Sequence, residues 1–175
     1  TVHEALPVAG GMMAVGIPEY RLPKDILNIE IDNIRRAGVE IKLNSCLGRD
    51  FSVNDLLERD GYHAVVLAIG AQLSRSLHLP GEDCEGVMGG TEFLKDVALG
   101  NAPDLSGKRV VVVGGGNTAI DAARTAMRLG ASEVSLVYRR TREEMPAQDI
   151  EVLEAEEEGL QLHFLVTPTR VIGNG

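Results

Sequence analysis

The sequence predicts an α/β chain built from parallel sheets with flanking helices, and three observations carry that reading. Arg109–Val113 is a run of β-branched residues without polar alternation, the pattern of a strand buried on both faces of a parallel sheet. Gly114-Gly115-Gly116 follows at once and opens into Asn117–Leu129, where apolar residues recur at helical spacing until Gly130. Glu133–Tyr138 then supplies a second strand, so strand, glycine turn, helix and strand succeed one another as in a parallel βαβ unit.

The other elements follow from the same rules, taken from the start of the chain. Thr1-Val2-His3-Glu4 reads as the end of a strand closed by an acidic residue. Ala9–Met13 leads into Gly16–Pro23, where closely spaced Gly and Pro predict a stiff irregular segment, neither helix nor strand. Pro23 sits where a helix can begin, Leu27, Ile31 and Ile34 form its apolar stripe, and Gly38 ends it. Val39–Leu43 is the next strand, a short helix is expected over 50–57, and Ala64–Ile69 reads as a buried strand ending in Gly70-Ala71. Beyond the turn at Leu79–Asp83, Thr91 is placed to cap a helix through about Leu99, and Gly100–Pro103 breaks it. Near the far end, 148–158 is an acidic helix whose carboxylates read as a solvated face, Gly159 stops it, and Leu160–Val166 is a last strand.

The glycine turn carries the chemistry. Gly114, Gly116 and Ala119 fall in the G-x-G-x-x-G/A register of a Rossmann-like dinucleotide-binding unit. Gly114 makes the sharp turn, Gly116 lets a pyrophosphate approach the backbone, and Ala119 lets helix and strand pack closely. The helix N-terminus offers its free N–H groups and partial positive charge to the phosphates. An NAD site normally carries Asp or Glu about 20 residues beyond the first glycine to bind the ribose 2′-OH. Here Tyr138-Arg139-Arg140-Thr141-Arg142 stands in that place. Guanidinium groups take a 2′-phosphate by charge-assisted bidentate hydrogen bonds, so the preference is for NADP(H). The same substitution argues against an S-adenosylmethionine methyltransferase, and the absence of Gly-Lys-Ser/Thr after the turn excludes a P-loop NTPase.

The whole chain sets further bounds. With 175 residues, 44% of them hydrophobic and 20 glycines, it suits a packed α/β protein of one or two domains. A net charge of −9 gives no support for nucleic-acid or anionic-membrane partners, and no apolar run reaches the roughly 18 residues of a membrane span. A cytoplasmic location is the expectation. Cys46 and Cys84 belong to no Cys-x-x-Cys pair, and His3, His63, His78 and His163 lack ligand spacing, so no metal site is expected. The first residue is Thr1, in strand-like sequence, which points to a fragment.

Gly10–Met13, Gly16–Pro23, Val66–Ala71, Val113–Asp121 and Val137–Ala147 together resemble the small (β) subunit of NADPH-dependent glutamate synthase and related flavoprotein oxidoreductases. The resemblance spans essentially the whole chain. It implies two Rossmann-like domains, a partial FAD-binding domain over 1–75 and an NADP(H)-binding domain over 108–175 that is truncated at its end, joined by a crossover over 76–107. Glu4 would lie on the FAD ribose, Gly11, Met12 and Arg21 against the flavin cofactor, Leu47 near its adenine, and Gly70 and Ala71 at its pyrophosphate. Gly114, Gly115, Gly116, Asn117 and Thr118 would hold the NADPH pyrophosphate, with Arg139 and Arg140 on the 2′-phosphate and Arg142 as a helper. Hydride would pass from nicotinamide to flavin, and electrons would leave through iron–sulfur clusters held in absent regions or by a partner such as a large catalytic subunit. The first FAD glycine loop and the cysteine-rich domain are absent from the sequence, so the FAD site would be incomplete and the fragment inactive alone. The alternative is a non-catalytic NADP(H)-binding regulatory or assembly domain.

Overall fold

A computed structural model describes residues 1–173. The chain forms two compact units, Thr1–Ala71 and Gln72 onward. In the first, β1 (Val2–His3) and β2 (Ile41–Lys42) pair in parallel, Val2 opposite Ile41 and His3 opposite Lys42. Parallel strands need a crossover, and α1 (Gly11–Val15) and α2 (Lys24–Arg36) lie along it. Pro23 precedes the first residue of α2 with φ −55, Arg35 and Arg36 meet its negative end, and the chain leaves through Gly38 at φ +95. Leu27 and Ile31 are buried with Val15 and Leu56, but Ile34, the third member of the expected stripe, is exposed.

Two expectations for this unit are corrected. The segment Gly16–Pro23 is not one of them: it is irregular as expected, and ahead of it Gly10 at φ +113 and Gly11 at φ +53 turn the chain into the single helical turn α1. Lys24 closes that turn, its ammonium donating to the carbonyls of Met13 (2.8 Å) and Ile17 (2.6 Å), and burial there lowers its pKa. The run Ala64–Ile69 belongs to no strand, and Val66, Leu67 and Ile69 are 87%, 62% and 71% exposed. Its composition is that of a strand, but a strand needs a neighbour for its N–H and C=O groups. The two strands of this unit pair with each other instead. The helix expected over 50–57 lies a little later, as a wide turn at Asp55–Arg59.

The second unit holds a parallel sheet of β3 (Arg109–Val113), β4 (Glu133–Tyr138) and β5 (Gln161–Phe164), in that order. Helix α4 (Asn117–Arg128) connects β3 to β4, and α5 (Asp149–Glu157) connects β4 to β5. With α3 (Gly90–Ala98) they enclose a core of Phe93, Leu94, Ile120, Ala123, Ala126, Val134, Leu136, Val152 and Ala155. Val110 and Val112 pack against it, whereas the pleat turns Val111 and Val113 to the other side, where they are exposed. β3 is therefore covered on one face, not both.

Thr91 does not cap α3. The helix starts one residue earlier, and the cap comes from Ser74, whose Oγ accepts the Thr91 N–H at 3.1 Å and donates to the Glu92 carboxylate. The carboxylates of α5 are not simply solvated either. Arg124 of α4, 4% exposed, meets Glu151 at 2.8 Å, Glu154 at 3.0 Å and Glu158 at 2.6 Å, and Arg128 joins Glu158 at 2.7 Å. These arginines, Arg128 foremost, hold the Glu158 carboxyl at about 2, against 4.5 for an ordinary glutamate.

Removing one partner of a buried charge network leaves the others uncompensated, so Arg124→Ala should lower the unfolding free energy in urea by about 3 kcal/mol. Arg128→Ala, at a half-exposed position, should cost less than about 1 kcal/mol. The folded-state pKa of Glu158 lies below its unfolded value, so the unfolded chain takes up the proton first. Its stabilising contribution is complete above pH 4.5 and disappears as the pH falls toward 2. Denaturation followed over that range should show a shallower acid loss in Glu158→Gln than in the parent.

Candidate functional site

The glycine turn sits at the end of β3, where each glycine answers a different constraint. Gly114 has φ +145, and a Cβ there would lie 3.2 Å from the Ala119 Cβ, so strand and helix approach as closely as the motif demands. Gly115 is buried, and a Cβ on it would fall 2.5 Å from the ring of Tyr138. Gly116 precedes α4 in extended backbone, and a Cβ on it would meet Pro146 Cγ at an ordinary contact distance of 3.9 Å, without a clash. No acidic residue occupies the first turn of α4 and no side chain caps it. The leading N–H groups at Asn117 and Thr118 and the positive end of the helix are thus left for a ligand anion at Gly116.

The start of α5 is tied to this turn. Ala147 N–H donates to the Gly115 carbonyl and Gln148 N–H to Asn117 Oδ1, both at 3.1 Å. A backbone donor requires the amide oxygen of Asn117 on that side, which turns its NH2 group away from the Gln148 N–H. The Thr118 side chain is exposed beside the start of α3, its methyl 3.5 Å from the position of a Gly90 Cβ.

The arginines lie next to the turn, because β4 runs beside β3 and the Gly114 N–H donates to the Val137 carbonyl at 3.1 Å. Tyr138 ends β4 over Gly115, its hydroxyl donating to the Glu144 carbonyl at 2.9 Å. Arg139 and Arg140 are exposed; Arg139 has no ion pair among the described residues, and Arg140 stands 3.8 Å from Glu144. Arg142 is placed differently. Its two outer nitrogens each donate to an oxygen of Glu156 at 2.7 Å, and this pairing holds the Glu156 carboxyl below the usual carboxylate range.

In the first unit, Glu4 and Gly10 line a groove of about 260 Å³ with Met13, Leu27, Ile31 and Ile34. The Glu4 carboxylate accepts the Leu6 N–H at 2.8 Å. Gly11 begins α1 at φ +53, and Met12 folds back over Gly16. Arg21 and Leu47 are half-buried, Leu47 bridged to Phe51, while Gly70, at φ +69, and Ala71 are exposed. Met12, Arg21, Leu47, Gly70 and Ala71 do not line that groove.

Residues 5–175 match the pyridine nucleotide-disulphide oxidoreductase family. The chain belongs to that family. Among its members, the NADP(+)-dependent formate dehydrogenase subunit beta of Moorella thermoacetica is 54% identical over 98% of this chain and 24% of its own length. The glutamate synthase [NADPH] small chain of Escherichia coli K12 is 38% identical over 99% of this chain and 39% of its own. Among solved structures, a mutant of FprA from Mycobacterium tuberculosis superposes with a TM-score of 0.72 at 28% identity, over 90% of this chain and 40% of that one. The chain thus spans about a quarter to two-fifths of these proteins. The family's name includes a disulphide, but Cys46 and Cys84 are free thiols.

Sequence reasoning missed Tyr138, Glu144, Glu156 and the Arg124 cluster. A signal for the last was present: Arg124 and Arg128 are four apart, and Glu151, Glu154 and Glu158 are three and four apart, so each set shares one helix face. The packing of Tyr138 on Gly115 has no local signature.

Overpacking at Gly115 is testable. Gly115→Ala should destabilise the protein by roughly 1–3 kcal/mol, because the added methyl meets the Tyr138 ring. Tyr138→Ala removes that obstacle, so in a denaturant titration the double variant should be no less stable than Tyr138→Ala alone.

Proposed function

We propose that the chain is the nucleotide-binding part of an NADPH-dependent flavoprotein oxidoreductase, passing hydride from NADPH to FAD and electrons on to iron–sulfur centres or a partner subunit. One observation carries the reading: an uncapped helix N-terminus free of acidic residues follows the glycine turn, with two exposed arginines on the neighbouring strand end. The residues fit the nucleotide. The uncapped start of α4 at Asn117 and Thr118 suits a diphosphate, a side chain at Gly116 would stand in its approach, and Arg139 and Arg140 suit a 2′-phosphate where an NAD site would place a carboxylate. Family membership supports both nucleotides, and the names of the formate dehydrogenase and glutamate synthase relatives carry NADP(+) and NADPH.

Hydride donation from nicotinamide and its acceptance by flavin is the chemistry the two nucleotides supply when bound. The chain needs no nucleophile for it. Its residues bind and orient: α4 and the glycine turn take the diphosphate, and the arginines select the phosphorylated ribose. Glu4, half-buried at the end of β1, is the residue proposed for the FAD ribose, with Gly11, Met12, Arg21, Leu47, Gly70 and Ala71 toward the rest of that cofactor. Neither Cys46 nor Cys84 lies in a ligand cluster among the described residues, so iron–sulfur centres would be held by other segments or a partner.

Fluorescence titrations with NADPH and NADH should show tighter NADPH binding. Losing charge-assisted bonds to the 2′-phosphate, Arg139→Ala should weaken NADPH by about tenfold or more and leave NADH unchanged. Equal affinities in the parent would sink the proposal. NADPH binding by the intact protein without flavin reduction would mark a regulatory domain instead.

A further inference from the structure

We propose that Arg142 and Glu156 form a strut that holds the arginine loop in its binding geometry, and that Arg142 does not itself take the 2′-phosphate. The inference rests on the NADP(H) reading. Three arginines fall within Tyr138–Arg142, but the structure separates their roles. Arg139 and Arg140 are exposed, whereas Arg142 is half-buried with both outer nitrogens on Glu156. To reach a phosphate, Arg142 would have to break two charge-assisted hydrogen bonds and leave a carboxylate beside a dianion.

The surrounding loop is built to be fixed. Thr141 opens a single tight turn, Arg142–Glu144, and the Glu144 carboxylate accepts from the Thr141 N–H at 3.2 Å and its hydroxyl at 3.4 Å. The Tyr138 hydroxyl grips the same residue through its carbonyl. On the other side, the Val166 and Leu165 N–H groups donate to the carbonyls of Tyr138 and Arg140. Arg139 and Arg140 therefore lie between anchored points, and the Arg142–Glu156 pair joins the turn after them to α5. A loop already ordered loses less conformational freedom on binding, and that saving appears as affinity.

The two roles predict opposite signs for a residue that would touch no ligand. If Arg142 is a strut, Glu156→Ala weakens NADPH binding to the intact protein by roughly fivefold, as expected for losing a well-formed, partly exposed pair. Arg142→Ala does the same, and the double variant is no worse than either single one. Glu156→Gln, which keeps the shape of the side chain, falls between. If Arg142 is a phosphate ligand restrained by Glu156, then Glu156→Ala tightens NADPH and Arg142→Ala weakens it. That result, or an unchanged Kd in Glu156→Ala, overturns the proposal. Thermal melting of each variant separates loop loosening from global unfolding, and a Glu156→Ala protein that melts early is judged on Glu156→Gln. A parent protein with no preference for NADPH over NADH sinks the NADP(H) reading, whereas a preserved preference with tighter binding in Glu156→Ala sinks the strut alone.

Discussion

The arrangement of the second unit depends on one buried charge. Arg124 projects from the middle of α4 at 4% exposure, and a guanidinium in that position requires carboxylates around it. Glu151, Glu154 and Glu158 supply them from α5, so the rotation and height of α5 against α4 are set by where that charge lies. Two consequences reach the candidate site. The first N–H groups before α5 engage the Gly115 carbonyl and Asn117 Oδ1, which fixes the glycine turn from behind. Glu156, on the same helix, engages Arg142 and so fixes the arginine loop. An ion network of this kind adds little net stability over an apolar one, but it admits fewer arrangements.

The three consecutive glycines show how a binding motif mixes packing with ligand contact. Gly114 serves the approach of α4 to β3, and Gly115 serves the ring of Tyr138. Gly116 alone of the three could carry a Cβ without a close contact. On the proposed reading, nucleotide binding rests on Gly116, one uncapped helix end and the residues of the next strand end, while the first two glycines let those parts come together.

Legibility from sequence follows how local each determinant is. The bounds of β3, α4 and β4 were readable because each carries its own signal: β-branched runs, helical spacing, Gly130 at φ +86. The glycine turn and the arginines beside it could be located because they are contiguous with the strands and helix that carry them; their part in binding is the proposal. Ala64–Ile69 was misread, since composition reports that a segment suits a strand and says nothing about whether a neighbour is there to pair with it. The same limit explains Val111 and Val113, whose apolar character predicts burial on both faces although their own face is exposed. Ser74 at the start of α3, Tyr138 on Gly115 and Arg142 on Glu156 are contacts between positions that are remote in the chain or locally unremarked, and no periodicity encodes them.

Charge placement shows why such contacts matter for function. The chain carries a net charge of −9, a field unfavourable to a polyphosphate ligand. At physiological ionic strength that field decays within about 8 Å, so the groups at the site decide the local potential. Most cations of the second unit near carboxylates are neutralised by them: Arg124 and Arg128 by α5, Arg142 by Glu156. Among the described residues, Arg139 alone of the loop arginines makes no ion pair, and Arg140 makes one only at 3.8 Å. Hydride transfer asks the protein for position rather than for a reactive side chain. On the proposed reading, position in a chain this acidic includes keeping Arg139 unpaired and Arg140 only loosely paired, and the pairing of Arg142 lets the loop stay ordered while they remain so.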